Sequence, residues 1–255
     1  MDCLDISVDH LRVLVRRHRI VLLRGFTNRL SSHALADYAR RWGQIMMGSY
    51  GEVLDVVEKD QSRDGVFDSL PLPLHWDGMY LPTIPEFQMF HCADAGRLNA
   101  GGETVFVDTV GLLENAQPSV VDQWRAIGTT SRIATVDRYG GCVVNALVVE
   151  HPVQRVPTLR YSPPVDDIPG FRNPHTITYE GLDHGSMDQS IARLHDCLVH
   201  PAHRYEHAWQ AGDLLIADNL ALLHGRNAFV HGSSRHLQRV HVHADPVLVN
   251  TGFFP

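Results

Sequence analysis

The sequence has little positive charge and no basic cluster. Acidic residues outnumber Lys and Arg by 29 to 22, the formal net charge is −7 and the pI is near 6.2. Domains that bind nucleic acid usually carry a basic face or stripe. The charge pattern therefore argues against the nucleic-acid-binding classes, and we expect no nucleic-acid partner.

Long apolar runs are also missing. No run approaches the roughly 18 residues of a candidate membrane-spanning helix. Residues 1–19 mix Asp, His and Arg with apolar side chains instead of forming the apolar region of a signal peptide. Cysteine is scarce, with four widely spaced residues and no CxxC pair. We therefore expect a cytoplasmic chain with reduced thiols and no membrane association.

The remaining composition is that of a globular protein. Hydrophobic residues make up 44% and charged residues 20% of the 255 residues, a balance that can bury a sizeable core. No internal repeat, low-complexity tract or linker divides the sequence, so we predict one domain over residues 1–255. The composition leaves the oligomeric state open, and a homo-oligomer is one of the alternatives.

Short apolar runs between turn residues predict a mainly β fold. Gly, Pro, Asn and Asp separate runs that fit strands, at residues 20–23, 87–91, 104–107, 142–149, 214–217 and 240–243. Helical periodicity predicts three helical segments, from Ser31 or Ser32 to about Trp42, over residues 112–127 with a break at Pro118, and over residues 186–198. Many short strands with few helices are typical of a barrel or a double-sheet jelly roll.

A His-x-Asp pair stands where a strand can end. His75 and Asp77 are two residues apart, so on an extended segment both side chains point to one side and can reach the same metal ion. With 17 histidines in the chain, such a pair also arises by chance as an ordinary surface contact. His224, which follows the predicted strand at residues 214–217, supplies a second histidine. Two His and one carboxylate are the facial triad of non-haem iron(II) oxygenases.

Two arginines follow His224 at intervals that suit a carboxylate-binding site. Arg235 and Arg239 come eleven and fifteen residues after it, and four residues apart on an extended segment they can share one face. The guanidinium group is a planar fork that pairs bidentately with a carboxylate. A dicarboxylate co-substrate needs such a cation at its far end.

These elements together resemble the taurine dioxygenase/TfdA family of Fe(II)/2-oxoglutarate oxygenases. The matching elements, which run from about residue 20 to the end, are His75-Trp76-Asp77-Gly78, Gly101-Gly102-Glu103-Thr104, His151-Pro152-Val153, Trp209 with Gly212-Asp213, Asp218-Asn219, His224-Gly225-Arg226, and Arg235 with Arg239. The segment from His75 to Tyr80 with Pro85-Glu86-Phe87-Gln88 further resembles a subgroup that acts on modified amino acids, including isonitriles, in specialised metabolism.

The resemblance implies a fold and a metal site. The fold is the double-stranded β-helix, a cupin-like jelly roll with flanking α-helices and with the iron at its open end. His75, Asp77 and His224 bind Fe(II), and O2 is the second co-substrate beside 2-oxoglutarate. Because Asp77 supplies a carboxylate, the halogenase variant of the triad, which has Gly or Ala at this position, is not expected.

The resemblance also implies how 2-oxoglutarate is held. Thr104 hydrogen-bonds its distal carboxylate, and Arg235 makes a salt bridge to the same group. Arg239 lies near the iron and contacts either the other end of the co-substrate or an anionic group of the substrate. An ordinary strand threonine, favoured for its β-branching, is the alternative for Thr104.

Candidate substrate contacts are fewer and less specific. Tyr80 stands beside the metal motif, where aromatic side chains either stack on a substrate or pack in the core. His151 fits substrate contact and structural packing equally well. Tyr161, with Arg160, could bind a substrate carboxylate. We expect a small anionic or zwitterionic substrate, derived from an amino acid, that is hydroxylated, desaturated or cyclised. A hydrophobic substrate, with both arginines bound to 2-oxoglutarate, is the alternative.

The other histidines are assigned to packing or to the surface. His241 and His243 alternate with Val240 and Val242, so both face one side of a strand. A second metal site at this pair is the less favoured alternative.

Two other classes of function remain as alternatives. One is a jelly-roll protein that binds a metal or small ligand without turnover. The other is a zinc hydrolase with two His and one carboxylate as ligands. The presence of every oxygenase ligand argues against the first, and the paired arginines argue against the second.

Overall fold

The computed structural model describes residues 5–25, 30–136, 138–166 and 168–255. Its regular structure is dominated by antiparallel strands. They are β1 (Ile20–Leu23), β2 (Leu54–Val57), β3 (Leu72–His75), β4 (Thr83–Asp94), β5 (Thr104–Asp108), β6 (Gly128–Ile133), β7 (Gly141–Ala146), β8 (Val148–Glu150), β9 (Pro157–Leu159), β10 (Thr176–Glu180), β11 (Arg204–His207), β12 (Leu214–Asp218), β13 (Leu222–Arg226), β14 (His236–Val249) and β15 (Phe253–Phe254).

Two of the sheets make the central layers. The large sheet has the strand order β1-β12-β4-β14-β2, and the small sheet has the order β11-β5-β13-β3. A cluster of buried apolar side chains drawn from both sheets, including Phe90, Phe106 and Leu222, fills the space between them. Two antiparallel sheets packed on a shared core form a jelly roll. The prediction of a mainly β jelly roll with flanking helices is confirmed.

Alternation along the strands divides the large sheet into two buried faces. In β12, Leu215 and Ala217 face the small sheet, whereas Leu214 and Ile216 belong to a second cluster under the N-terminal helices. Successive strand residues point to opposite faces, so a strand buried on both sides is a continuous apolar run. This burial explains why the run Leu214–Ala217 has no polar position.

Helices cover the sheets from outside. Among the described residues they are α1 (Val8–His18), α2 (Ser32–Arg40), α3 (Thr109–Asn115), α4 (Pro118–Arg125) and α5 (His184–Val199). The predicted N-cap at Ser31 is confirmed, because its side chain accepts a hydrogen bond from the backbone N–H of Ala34. The predicted break at Pro118 is also confirmed, since this proline begins α4.

Several elements differ from the sequence-based expectation. The strands that were not predicted are β2, β3, β6, β9, β10, β11, β13 and β15. Helix α1 was not predicted, although Ser7 caps it and Leu11 and Val15 are buried beneath it. The single strand predicted over residues 142–149 is wrong, because it is two strands, β7 and β8, separated at Leu147. This buried residue leaves both ladders and its backbone N–H donates to the carbonyl of Ile127 at 2.9 Å.

The expectations about membrane-spanning helices and about cysteine thiols can be compared with the described residues. None of the helices there is both long and apolar enough to span a membrane. Cys92, Cys142 and Cys197 are free thiols, and Cys3 lies outside the described residues.

The two-sheet core gives a stability prediction. Leu215 is completely buried between the sheets, whereas Leu98 is 92% exposed. We expect Leu215→Ala to lower the free energy of unfolding by about 2–5 kcal/mol through lost burial and a residual cavity. The matched control Leu98→Ala should change it by less than about 0.5 kcal/mol. Urea unfolding followed by circular dichroism measures both, and equal effects would contradict this packing.

Candidate metal centre and adjoining cavity

The His75, Asp77 and His224 side chains meet at one end of the small sheet. His75 is the last residue of β3 and is the direct strand partner of His224 in β13, while Asp77 lies two residues beyond the strand. One potential ligand atom from each side chain lies within 4.8 Å of the others. Nε2 of His75 is 3.8 Å from Oδ1 of Asp77, and Nε2 of His224 is 3.6 Å from Oδ2. This spacing leaves room for one metal ion between the three.

The electrostatics give these groups the protonation states that a metal requires. Burial lowers the pKa of His75, and burial together with the neighbouring His75 holds the pKa of His224 well below its usual value. Burial alone would raise the pKa of Asp77, but Arg239, His241 and His224 hold it well below the ordinary range. Two neutral imidazoles and an ionised carboxylate are ready-made ligands at neutral pH.

Hydrogen bonds orient the ligands. Nδ1 of His75 donates to the carbonyl of Pro73 at 2.8 Å, which leaves Nε2 for a metal. Oδ2 of Asp77 accepts from Nε2 of Gln88 at 2.9 Å, from Nη1 of Arg239 at 3.1 Å and from Nε2 of His241 at 2.7 Å. Because three donors occupy Oδ2, Oδ1 is the oxygen left for coordination.

The amide of Asn219 clamps the backbone of the His-x-Asp segment. Its Oδ1 accepts from the N–H of Asp77 at 2.9 Å, and its Nδ2 donates to the carbonyls of Asp77 at 3.0 Å and Pro85 at 2.8 Å. Nε2 of Gln88 also donates to Asn219 Oδ1 at 2.8 Å. A loop carrying a metal ligand is thus tied to β4 and to the residue after β12.

The assignment of His241 to packing or to the surface is wrong. His241 lines the cavity described below and contacts Asp77 directly. The predicted alternation holds, because Arg239, His241 and His243 all line the same cavity from β14. Within the described residues no metal-binding group includes His241 or His243. The alternating pattern that begins at Arg239 was the available signal that this face of β14 belongs to the site.

Thr104 and Arg235 lie near Arg226 of β13, away from the main cavity. Thr104 is the strand partner of Arg226, and its hydroxyl accepts from the indole N–H of Trp209 at 2.9 Å. The pKa of Arg226 is lowered to about 9 by burial and by the charge of Arg235. Neither Thr104 nor Arg235 is among the residues that line the main cavity.

Arg235 has the features of an anion-binding group. It is 7% exposed, burial lowers its pKa to about 10, and its Nε has no hydrogen-bond partner. No carboxylate of the described residues makes an ion pair with it. A Cβ at Gly102 would approach its Cδ to 3.1 Å, so glycine keeps the space beside the guanidinium open. A buried cation without a partner fits a carboxylate from outside the chain.

A cavity of about 610 Å³ adjoins the metal-binding cluster. His75, Asp77 and Arg239 form part of its wall, and many apolar side chains form the rest. Tyr80, one of the three candidate substrate residues, lines it and bonds the hydroxyl of Ser131.

His151 and Tyr161, the other two candidates, do not line this cavity. His151 is fully buried, with its Nε2 3.2 Å from Oδ2 of Asp218. The hydroxyl of Tyr161 lies 3.0 Å from that of Tyr179 and contacts His195. Arg160 stacks on the ring of Trp76, 4.7 Å from its centroid, instead of entering the cavity. These side chains therefore lie outside the cavity lining, and Arg160 contacts the lining residue Trp76.

The predicted loop at residues 163–174 has no helix or strand among its described residues and lies over the cavity. Val165, Phe171 and Asn173 contribute to the lining. Arg172 pairs with Asp68, and the amide of Asn173 donates to the carbonyl of Ala134 at 2.9 Å. These two contacts hold the loop against the neighbouring segments.

A family model describes this combination of fold and site. The model "Taurine catabolism dioxygenase TauD, TfdA family" matches residues 1–241. The chain belongs to this family and is an oxidoreductase of the dioxygenase class.

Two relatives and one solved structure that resemble the chain have names that refer to isonitrile compounds or pathways. The chain is 42% identical over 248 residues to tyrosine isonitrile desaturase of Pseudomonas aeruginosa, covering 96% of this chain and 84% of that protein. It is 36% identical to 3-((Z)-2-isocyanoethenyl)-1H-indole synthase of Fischerella ambigua, covering 94% and 88%. A solved structure of PvcB, described as an Fe, alpha-ketoglutarate dependent oxygenase from an isonitrile synthetic pathway, has a TM-score of 0.81 and 37% identity, covering 98% and 85%.

The geometry predicts the consequence of removing a candidate metal ligand. We expect His224→Ala to weaken Fe(II) binding by more than about 100-fold, since losing even an outer hydrogen-bond partner of a ligand typically costs about 10–100-fold. The control His231→Ala, at a histidine whose side chain is 73% exposed and pairs with Glu58, should bind Fe(II) normally. Anaerobic calorimetric titration measures both. Unchanged affinity in His224→Ala would remove this residue from the ligand set.

Proposed function

We propose that the chain is an iron(II)- and 2-oxoglutarate-dependent oxygenase with His75, Asp77 and His224 as the metal ligands. The observation that carries the proposal is the partly buried facial cluster of two neutral imidazoles and one ionised carboxylate beside a substrate-sized cavity. Three ligands on one side leave the other coordination positions to co-substrates. The unpartnered Arg235 fits the distal carboxylate of 2-oxoglutarate, with Thr104 as a neighbouring hydroxyl.

The protein's own groups orient and protect the reacting centre. When bound, iron with 2-oxoglutarate and O2 supplies the oxidising power, and succinate and CO2 are the co-products. Arg239 and His241 fix Asp77, Asn219 fixes the loop that carries it, and the wall of Trp76, Met79 and Tyr80 excludes water from the cavity. Such exclusion limits side reactions of an oxidising site.

The substrate we propose is an isonitrile derived from an aromatic amino acid, and the reaction is a desaturation. Two relatives that the chain matches over nearly its whole length act in isonitrile chemistry, one on tyrosine isonitrile. The cavity volume and its apolar wall suit an aromatic ring. The electrons balance without a further reductant: 2-oxoglutarate and the substrate each give two electrons, and O2 delivers one oxygen atom to succinate and one to water.

The two rival functions are less well supported. A zinc hydrolase needs no second anion site, so it leaves the buried, unpartnered Arg235 without a role. A protein that only binds a ligand gives no reason for the set of hydrogen bonds that prepares one oxygen of Asp77 for coordination. Residues 1–255 would act as one oxygenase domain, because both sheets contribute to a shared core and the ligands come from β3, β13 and the segment after β3.

Substrate-dependent turnover tests the proposed function. Purified protein with Fe(II), 2-oxoglutarate and O2 should form succinate in equal amounts to a desaturated product when tyrosine isonitrile is added. It should form little succinate without that compound. Mass spectrometry should find the product two mass units lighter, or lighter by this and CO2 if the carboxylate is also lost. Hydrolysis or unchanged substrate in the presence of bound Fe(II) would overturn the proposal.

Removing Arg235 should act on the co-substrate. We expect Arg235→Ala to raise the 2-oxoglutarate concentration needed for half-maximal turnover by about 30-fold or more, the effect of losing a buried charge partner. The KM for tyrosine isonitrile should move much less. Arg97→Ala, at an exposed arginine of a nearby loop, is the control. The reverse pattern of KM changes would mean that Arg235 anchors the substrate.

A further inference from the structure

We infer that Arg138 binds the carboxylate of the substrate, an inference that rests on the proposed function of this cavity. Arg138 belongs to the cavity wall and its side chain is only 12% exposed. It lies in the turn between β6 and β7, outside every motif of the metal and co-substrate sites.

Asp64 and a group of aromatic rings hold the guanidinium in place. Nε of Arg138 donates to Oδ2 of Asp64 at 2.8 Å, and Nη2 donates to the same oxygen. The centroids of Tyr50, Phe67 and Tyr139 lie 5.7, 5.1 and 5.7 Å from its Cζ. Aromatic faces at this distance attract a cation. The side chain is thus preorganised, so little rotamer entropy would be lost on binding.

One edge of the guanidinium remains available. Asp64 occupies the Nε–Nη2 edge through a single oxygen, and Nη1 has no hydrogen-bond partner in the part of the chain that the structure describes. The Nη1–Nη2 edge is the fork that pairs with two oxygens of a carboxylate. The available site therefore offers only donors.

The acceptor capacity of Asp64 is already used. Its Oδ1 accepts from the N–H of Val66 at 3.0 Å and from the hydroxyl of Tyr139 at 3.2 Å, and its Oδ2 accepts from Arg138. A phenolic hydroxyl bound here would find no free acceptor on Asp64 for its own hydrogen. A carboxylate needs donors alone, so it is the better match for this site.

Arg138 and the metal-binding cluster share one cavity. His75, Asp77 and Arg239 belong to the same cavity wall as Arg138. The cavity volume of about 610 Å³ is in the range of small-molecule sites. A small molecule held by Arg138 would therefore occupy the same cavity as the metal ligands.

The other basic groups of the cavity belong to the metal cluster or are neutral. Arg239 donates through Nη1 to Asp77, a metal ligand, while its Nε has no hydrogen-bond partner. Burial lowers the pKa values of His175 and His243, which favours their neutral forms. Among the described residues that line the cavity, Arg138 is thus the cation whose free edge is not directed to the metal cluster.

Three probes distinguish a carboxylate site from other roles. They are tyrosine isonitrile as the free acid, its methyl ester, and the free acid without the ring hydroxyl. Calorimetry on the wild-type protein without added metal gives the Kd of each probe independently of oxygenase turnover. Succinate formation with Fe(II), 2-oxoglutarate and O2 gives KM and kcat for the same probes.

The expected result is a selective loss of acid binding. Arg138→Gln should weaken binding of both acids by about 30-fold or more, and should leave the ester nearly unaffected. The control Arg132→Gln makes the same substitution at an exposed arginine of β6 and should bind all probes like the wild type. The double variant Asp64→Asn with Arg138→Gln removes both charges, and thermal unfolding checks that each variant is folded.

The other outcomes overturn the inference in distinguishable ways. If wild-type protein does not prefer the acid to the ester, the cavity has no carboxylate site. If Arg138→Gln affects only the acid with the ring hydroxyl, Arg138 binds the phenol. If the folded variants bind all probes normally, Arg138 is structural. Absence of succinate from wild-type protein would instead overturn the proposed function, while the Kd values would still report on Arg138.

Discussion

The ionised carboxylate of Asp77, buried at the junction of the two sheets, is the constraint on which the site depends. An isolated charge in such a place is strongly disfavoured and would be neutralised by a shift of its pKa. Arg239, His241 and Gln88 prevent this by directing three donors at one oxygen. The same arrangement leaves the other oxygen free to bind a metal ion, so the stability of the charge and the availability of the free oxygen have one physical cause.

The jelly roll supplies these donors from strands that are adjacent in space and distant in sequence. Gln88 lies on β4 and Arg239 and His241 lie on β14, its neighbour in the large sheet, while His75 and His224 face each other on the small sheet. Because each side chain comes from a paired strand, its direction is set by ladder hydrogen bonds and not by a flexible loop. Asp77 is the exception, and Asn219 compensates by bonding the backbone on both sides of it.

Whether a feature could be predicted from the sequence depends on how far apart its interacting residues lie along the chain. Five of the predicted strand runs, the break at Pro118 and the ligand candidates rest on local patterns in the sequence, whereas the division of residues 142–149 at Leu147 depends on a backbone contact with Ile127. The partner of His151 is Asp218, 67 positions away, and the partner of Arg138 is Asp64, 74 positions away. No local pattern encodes which loops meet. Alternation assigned His241 and His243 to one face of β14, but only the packing of the sheets decides that this face is turned to the cavity.

Formal charge connects the metal site with the proposed carboxylate site. Asp77 and Arg239 neutralise each other, as do Asp64 and Arg138. A divalent iron and a doubly charged 2-oxoglutarate also cancel, which leaves the positive charges of the two neighbouring buried groups, Arg226 and Arg235. An anionic substrate would reduce this excess of positive charge, which a poorly solvated interior disfavours. By this reasoning a neutral ester would leave the excess unchanged. The preference for an acid would then arise from the balance of the whole site, with Arg138 determining where that acid is held.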